Sequence, residues 1–358
     1  MHTLRTHFRE LLKRIKPPDD RLEAAKTLPP KIRDYLKSTD DFKTVDPHTR
    51  LVGSYAQNMA VDDVKDVDFL VRVPGSPEDN EPEAKQLIQD LREALEGLPE
   101  VLGVDGWAGV DLERARRSVH VYIEGRDFHL DVVPCIAPDG FEEPLYVPDR
   151  GFNKWIPSHP VGYVKLIQEL NQAHNGKVLV LGKLFKHIRN FHMKNRRPKS
   201  YWLGALLIHH VNETLDMSQP LAVLVRDLLD GVYNQYACLL GRDDGATPNI
   251  PDPLLGHNIS WNWSRTHFET FMRRVNECRS WASSALDADQ KEDAVSYWLK
   301  VFGEDWFPTD VEEAALRAAT VATPGEAVVL GSGLVVGTHG SHGLGGTKSR
   351  VTRFHGDR

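Results

Sequence analysis

The sequence predicts an α+β fold of two lobes, a strand-rich half followed by a helical half. Short apolar or alternating runs recur through the first 150 residues, as in half-buried strands. From about Pro160 the apolar residues recur at helical spacing instead. One hydrophobic core rarely serves more than about 250–300 residues, and this chain has 358. We therefore expect a mixed sheet with flanking helices, a separate helical lobe, and a functional site in the cleft between them.

Three regions are predicted along the chain. Residues 1–150 form the first lobe together with its N-terminal helices, residues 151–320 form the helical lobe, and residues 321–358 form a flexible glycine-rich tail. The proline pairs Pro17-Pro18 and Pro29-Pro30 are expected to interrupt the N-terminal helical pattern. The remaining patterns predict strands at 50–52, 67–73, 118–124 and 128–133, with a turn at Gly125-Arg126, and helices at 4–15, 83–97, 161–174, 176–193, 200–215, 219–231, 264–285, 290–302 and 311–319.

Charge and composition exclude several classes of protein. The formal net charge of −7 disfavours a protein that coats long nucleic acid, because such binding needs clustered positive charge. No apolar run approaches the roughly 18 residues that would cross a membrane, and the N-terminus has no apolar signal segment. Cys135, Cys238 and Cys278 lack the paired spacing of a zinc site or disulfide framework. We expect a cytoplasmic protein with reduced core thiols.

Two acids embedded in an apolar strand are the most informative feature. Asp66 and Asp68 stand two residues apart, so both carboxylates project from one face while Val67 and Phe69 point into the core. Paired carboxylates repel each other and lose solvation, and a magnesium ion with its preference for oxygen ligands compensates both effects. An Asp-x-Asp pair alone is also compatible with a solvated edge strand.

Two further features favour a metal-dependent site. Gly53-Ser54 stands between a strand and a short helix, where glycine lets the backbone approach a phosphate, although Ser54 could equally be an ordinary helix cap. Asp131 lies among apolar residues on the second hairpin strand, on the opposite face from Leu130 and Val132. A third carboxylate on a neighbouring strand would complete a centre for two metal ions.

These motifs together resemble a known family. Gly53-Ser54, Asp66-x-Asp68 and the later Asp131-Val132-Val133-Pro134 are similar to the motif of polymerase-β-like nucleotidyltransferases, which include poly(A) polymerases, CCA-adding enzymes, oligoadenylate synthases and the cyclic GMP-AMP synthase group. Within that superfamily the chain most resembles the bacterial CD-NTases, or SMODS nucleotidyltransferases, of anti-phage CBASS systems. The match departs at Asn58-Met59, where many relatives carry Gly-Thr.

Two segments of the helical half support the narrower resemblance. The segment from Gly182 to Arg189, followed by Lys199-Ser200-Tyr201, resembles the triphosphate clamp of the family, and the segment 302–308 resembles its Phe-Gly…Phe-Pro closing motif. Between Lys183 and Lys199 the acidic chain has seven Lys and Arg residues and no acid. Such a basic focus facing the acids would hold a triphosphate. The resemblance implies that Lys183, Lys186, Ser200 and Tyr201 contact the nucleotide.

The resemblance also implies a reaction. Two Mg²⁺ ions, or Mn²⁺, would be held by Asp66, Asp68 and Asp131, with Asp131 also accepting a proton, while Gly53 and Ser54 hold the terminal phosphates. The substrates would be ATP, GTP or pyrimidine NTPs, and the product a cyclic di- or trinucleotide second messenger. CBASS proteins that activate the enzyme or conjugate its C-terminus are the implied partners. We expect a monomer or weak oligomer that needs neither long nucleic acid nor a membrane.

Three alternatives stay open from the residues alone. An RNA-terminal enzyme of the CCA-adding or poly(A) polymerase type would use the same acids, but it needs an extended basic surface. An antibiotic adenylyltransferase is usually shorter and lacks the closing motif. A catalytically silent nucleotide or RNA sensor usually lacks one of the three carboxylates.

Overall fold

The computed structural model describes residues 1–310 except 41, 63, 64, 105, 108, 125–127 and 196, and also 328–329 and 335–336. The chain divides into two compact units, Met1–Val311 and Glu312–Arg358. In the second unit, β8 (Val328–Val329) pairs with β9 (Val335–Val336) in antiparallel fashion. The predicted turn at Gly125-Arg126, the predicted helix at 311–319 and most of the predicted flexible tail lie outside the described residues.

The first unit combines a five-stranded mixed sheet and a two-stranded sheet with many helices, so the predicted α+β class is confirmed. Its helices are α1 (Arg5–Arg14), α2 (Asp19–Ser38), α3 (Gly53–Ala56), α4 (Ala84–Ala94), α5 (Leu98–Val104), α6 (Pro160–Ala173), α7 (Lys177–His192), α8 (Ser200–Glu213), α9 (Leu221–Leu240), α10 (Arg265–Asp287) and α11 (Lys291–Phe302). Its strands are β1 (Thr49–Leu51), β2 (Asp66–Arg72), β3 (Val110–Arg114), β4 (Val119–Ile123), β5 (His129–Cys135), β6 (Leu145–Asp149) and β7 (Lys154–Ser158).

Five strands form the main sheet in the order β1-β2-β5-β4-β3. The central pair, β2 and β5, is parallel, and the other neighbours are antiparallel. Side chains alternate between the two faces of each strand. Val67, Phe69, Leu130 and Val132 are buried on one face, where they pack against α2 and α4. The polar residues between them are therefore directed to the opposite face.

Helix α2 corrects one expectation, because it continues through Pro29 and Pro30 instead of ending there. Each proline removes a backbone N–H donor, which usually interrupts a helix. Leu28, Ile32 and Leu36 are nevertheless fully or almost fully buried against the sheet. Tertiary packing of an apolar face supplies most of a helix's stability in a folded protein, and here it outweighs the lost hydrogen bonds.

A second core lies among the helices and includes α1. Phe8 makes edge-on contacts with Trp298, Phe302 and Phe307 at ring-centroid distances of 5.0 to 5.6 Å. Phe302 and Phe307 stack at 5.8 Å, so the Phe-Gly…Phe-Pro segment closes this core. The two N-terminal helices thus pack into different cores, α1 among the helices and α2 on the sheet. The division at residue 150 stays a prediction.

Some elements differ from their predicted bounds. Helix α9 continues nine residues past the predicted end at 231, and a Cβ at Gly231 would lie 2.8 Å from His210 Nδ1. That glycine therefore allows α8 to pack closely and does not end the helix. Strands β3, β6 and β7 were not predicted.

The expectation of core thiols is wrong for one cysteine. Cys238 is exposed, whereas Cys135 and Cys278 are buried. Within the described residues, no helix is long and apolar enough to span a membrane.

Candidate active site

Asp66 and Asp68 lie on β2, and Asp131 lies on β5, the parallel neighbour of that strand. Asp68 is the register partner of Asp131. The strand alternation places both β2 carboxylates on one face, while Val67 and Phe69 are buried on the other. The three carboxylates offer oxygens that all lie within 4.8 Å of one another. The structure therefore brings the three sequence-predicted acids together.

The carboxylates in this group repel one another. Burial, followed by the charges of Asp66 and Asp131, raises the pKa of Asp68 to about 7. The Oδ1 atom of Asp131 is itself buried. A bound cation would offset this repulsion, and a donor set made only of carboxylate oxygens suits hard divalent ions. The three residues thus fit a divalent metal centre.

Gly53 approaches the carboxylates more closely than another residue could. Its φ of +68° lies in the left-handed region that glycine favours. A Cβ at this position would collide with the carboxylate of Asp68. Ser54 follows at the first turn of α3 and is half-buried. The predicted phosphate turn therefore lies directly beside the acids.

Lys186 approaches the same site from α7. Its side chain is only 3% exposed, and its Nζ donates to the carbonyl oxygen of Met59, 3.2 Å away. Burial and the charge of Arg189 lower the pKa of Lys186 to about 7, although Asp66 and Asp68 act in the opposite direction. The predicted clamp lysine and the acids are close enough for their charges to interact.

The other predicted clamp residues differ in burial and in hydrogen-bond partner. Lys183 lies one turn earlier on α7, and burial lowers its pKa. Ser200 is exposed at the start of α8, where its Oγ accepts a hydrogen bond from Arg189 at 3.2 Å. The Tyr201 hydroxyl donates to Asp252, so this hydroxyl already has a partner. The described contacts connect Ser200 to the site through Arg189.

Two histidines that were not singled out in the sequence also belong to this region. His120 Nε2 lies 3.1 Å and His129 Nε2 3.2 Å from Asp131 Oδ1. Although burial opposes it, the hydrogen bond and charge of Asp131 raise the pKa of His129. In the two apolar strands, His120 and His129 occupy polar positions of the alternation, as Asp131 does. This pattern is the signal that could have identified the two histidines.

We expect the apparent affinity for Mg²⁺ to be about tenfold weaker at pH 6 than at pH 8. The pKa of Asp68 is raised from 3.8 to about 7. Below that value the carboxyl holds a proton that a cation must displace, and above it no proton competes. Calorimetric titration of Mg²⁺ at the two pH values, at constant ionic strength, measures the difference. An affinity that stays constant between pH 6 and 8 would contradict this role of Asp68.

The chain is similar to known proteins over most of its length. Residues 1–171 match the family model of the Second Messenger Oligonucleotide or Dinucleotide Synthetase domain, SMODS. The chain is 29% identical over 343 residues to a cyclic AMP-AMP-AMP synthase from an Acinetobacter species, and the match covers 93% of each chain.

Solved structures support the same fold. CdnC from Escherichia coli MS115-1, solved with ATP, has a TM-score of 0.64 at 18% identity, covering 85% of this chain and 99% of CdnC. CdnC in its HORMA-deltaN complex has a TM-score of 0.62 at 19% identity, covering 84% and 98%. The resemblance found in the sequence is thus confirmed, and the chain is a nucleotidyltransferase that is similar to the CD-NTases.

Proposed function

We propose that this nucleotidyltransferase joins nucleoside triphosphates into a cyclic di- or trinucleotide second messenger, with release of pyrophosphate and with Mg²⁺ as its metal. The observation that carries the proposal is the group of Asp66, Asp68 and Asp131 on one sheet face, with their oxygens within 4.8 Å of one another. Gly53 and Lys186 adjoin this group from two other elements. Acids suited to bind metal ions thus lie beside groups suited to donate to phosphates, and this arrangement supports the proposal.

The proposed reaction gives each of these residues a role. A ribose hydroxyl oxygen of one nucleotide attacks the α-phosphorus of a second, the bond to the bridging oxygen breaks, and pyrophosphate leaves. Asp131 accepts the hydroxyl proton, the role that the resemblance to the family implies for it. Two Mg²⁺ ions bound by the three acids would activate the attacking oxygen and stabilise the leaving group. Gly53, Ser54 and Lys186 hold the terminal phosphates.

Lys186→Ala is expected to weaken NTP binding by about ten- to a hundredfold, the usual cost of losing a charge-assisted hydrogen bond to phosphate. Ser200→Ala should have the same kind of effect at smaller size, because Ser200 is connected to the site through Arg189. Equilibrium binding of a non-hydrolysable ATP analogue measures both. Lys194→Ala is the matched control, since Lys194 is exposed in the same basic segment. Unchanged affinity in both test variants would place the clamp elsewhere.

We further propose ATP as the principal substrate. The relative that aligns over 93% of both chains is named a cyclic AMP-AMP-AMP synthase, and a second relative, from Escherichia coli and 24% identical over 307 residues, has the same name. The purified protein is incubated with each NTP singly and with all four, and mass spectrometry identifies the phosphatase-resistant products. A cyclic oligoadenylate from ATP alone is the expected result. A product that forms only when a second base is present would overturn this substrate assignment.

The biological role that we propose is anti-phage defence of the CBASS type, with activation by a partner protein. CdnC, which shares the fold, was solved in complex with HORMA-deltaN. An activating partner would explain weak synthesis by the isolated chain. Phage challenge of cells that express the protein with its activating partner should show protection that is lost in the Asp68→Asn variant. Equal protection by that variant would separate defence from nucleotide synthesis.

A further inference from the structure

His120, His129 and Asp131 form a compact group at the β4 edge of the acid site. His120 is the register partner of Asp131, and His129 lies two residues before Asp131 on the same strand, so all three share one sheet face. One ligand atom from each side chain can be chosen so that all three lie within 4.8 Å of one another. The two imidazole rings are 4.6 Å apart between centroids.

The geometry matches the coordination of a small transition metal ion. Bonds of about 2.0–2.1 Å to a tetrahedral ion place neighbouring donor atoms roughly 3.3 Å apart. The Nε2 atoms of His120 and His129 lie 3.1 and 3.2 Å from Asp131 Oδ1. Two of the three donor pairs thus have this spacing, and the third lies within 4.8 Å. A tetrahedral ion with three protein donors keeps a fourth position for water or a substrate oxygen.

The donor types also select the ion. Imidazole nitrogens favour Zn²⁺ and its neighbours over Mg²⁺, which prefers oxygen ligands. The other ring nitrogen of His120, Nδ1, lies 3.1 Å from the hydroxyl of Tyr122. Such an outer contact fixes the ring orientation and leaves Nε2 to face the metal position.

We propose that His120, His129 and Asp131 bind one divalent transition metal ion of the zinc class, separate from the magnesium centre but sharing Asp131 with it. The shared carboxylate couples the two sites. A cation held by the histidines withdraws charge from Asp131 and repels a second cation beside Asp66 and Asp68. The ion therefore inhibits nucleotide transfer. This inhibition rests on the proposed function, whereas the binding of the ion does not depend on it.

The binding test uses the full chain after removal of metals, titrated with Zn²⁺ in the presence of excess Mg²⁺. One zinc ion per chain is expected. Binding should persist in Asp66→Asn, which alters the magnesium centre alone, and should weaken at least tenfold in His120→Ala and in His129→Ala. His209→Ala is the matched control, because His209 is exposed on α8. Equal zinc affinity in the wild type and both histidine variants would overturn the proposal, and the histidines would then only position Asp131.

A spectroscopic test needs no substitution and so does not depend on how a variant folds. Co²⁺ added to the wild-type chain in excess Mg²⁺ should give the intense visible absorption of a four-coordinate site. Added Zn²⁺ should displace the Co²⁺ and abolish that absorption. Absence of that absorption would contradict a histidine-ligated ion.

The activity test compares each protein with its own zinc-free rate in excess Mg²⁺. One equivalent of Zn²⁺ should slow ATP consumption at least fivefold in the wild type and should lose that effect in His120→Ala. Zinc that binds without slowing the wild type would overturn the coupling through Asp131. If no protein consumes ATP even with its activating partner present, the proposed function fails, while the zinc titration still decides whether the site exists.

Discussion

Replacing Asp68 with asparagine is expected to abolish nucleotide transfer and to raise the melting temperature of the metal-free protein at pH 8. Transfer is lost because the amide cannot supply the negative charge that a metal pair requires. The amide has nearly the same volume as the carboxylate, so the packing is kept. We expect a fall in rate of at least about a thousandfold, the size of effect that removal of one strong electrostatic contact to a transition state produces.

The stability effect follows from the direction of the pKa shift. The pKa of Asp68 is about 7 in the folded chain, above its ordinary value of 3.8. The folded state therefore binds this proton more tightly than the unfolded state, and its stability falls as pH rises from about 4 to 7. An asparagine has no charge to bury, so the gain in melting temperature should be present at pH 8 and absent at pH 4.

Thermal unfolding in a metal-free buffer at both pH values measures this effect. Asp111→Asn is the matched control, because Asp111 is an exposed carboxylate on the same sheet. It should change neither transfer nor melting temperature. A destabilised Asp68→Asn variant at pH 8, or one that retains Mg²⁺-dependent transfer, would contradict the assignment of Asp68.

Gly53→Ala is expected to reduce transfer by at least about a hundredfold, close to the cost of misplacing a reacting group by about 1 Å. Two effects combine at this position. The added Cβ would collide with the Asp68 carboxylate, and φ is +68°, where an alanine is strained. The collision displaces a metal ligand as well as the phosphate turn.

Gly140→Ala separates the two effects. Gly140 has a φ of +91°, but a Cβ there would meet no atom within 4 Å. Both variants should lose some stability through backbone strain, whereas only Gly53→Ala should lose transfer and metal affinity. Steady-state rates, Mg²⁺ titrations and melting curves of the two proteins make the comparison. Equal transfer by both variants would show that the closeness of Gly53 to Asp68 has no catalytic importance.

Much of the fold and the acid group could be predicted from local patterns. Strand alternation around Asp66, Asp68 and Asp131 predicted their common face, and the parallel pairing of β2 with β5 then placed them together. The mixed sheet followed by helices agrees with the composition of the two halves. The strand alternation and the helical spacing depend on residues near one another in the sequence. The pairing of β2 with β5 joins distant residues and comes from the whole fold.

The rest depends on tertiary context. Continuation of α2 through Pro29 and Pro30 is decided by burial against the sheet, which no local pattern reports. The contacts of His120 and His129 with Asp131 require the register between β4 and β5. The burial of Lys186 likewise depends on how α7 packs beside Met59. Burial and register are set by the whole fold, and single-sequence motifs do not contain them.

The central claim is that the enzyme makes a small cyclic product from nucleotides alone. The most direct measurement incubates labelled ATP and Mg²⁺ with the purified protein, together with its activating partner, in the presence and absence of an RNA with a free 3′ end. A compact, phosphatase-resistant product is expected in both reactions, and it should be missing with the Asp68→Asn variant. Label that appears only on the RNA, with no such product, would contradict the claim and identify an RNA-terminal nucleotidyltransferase instead.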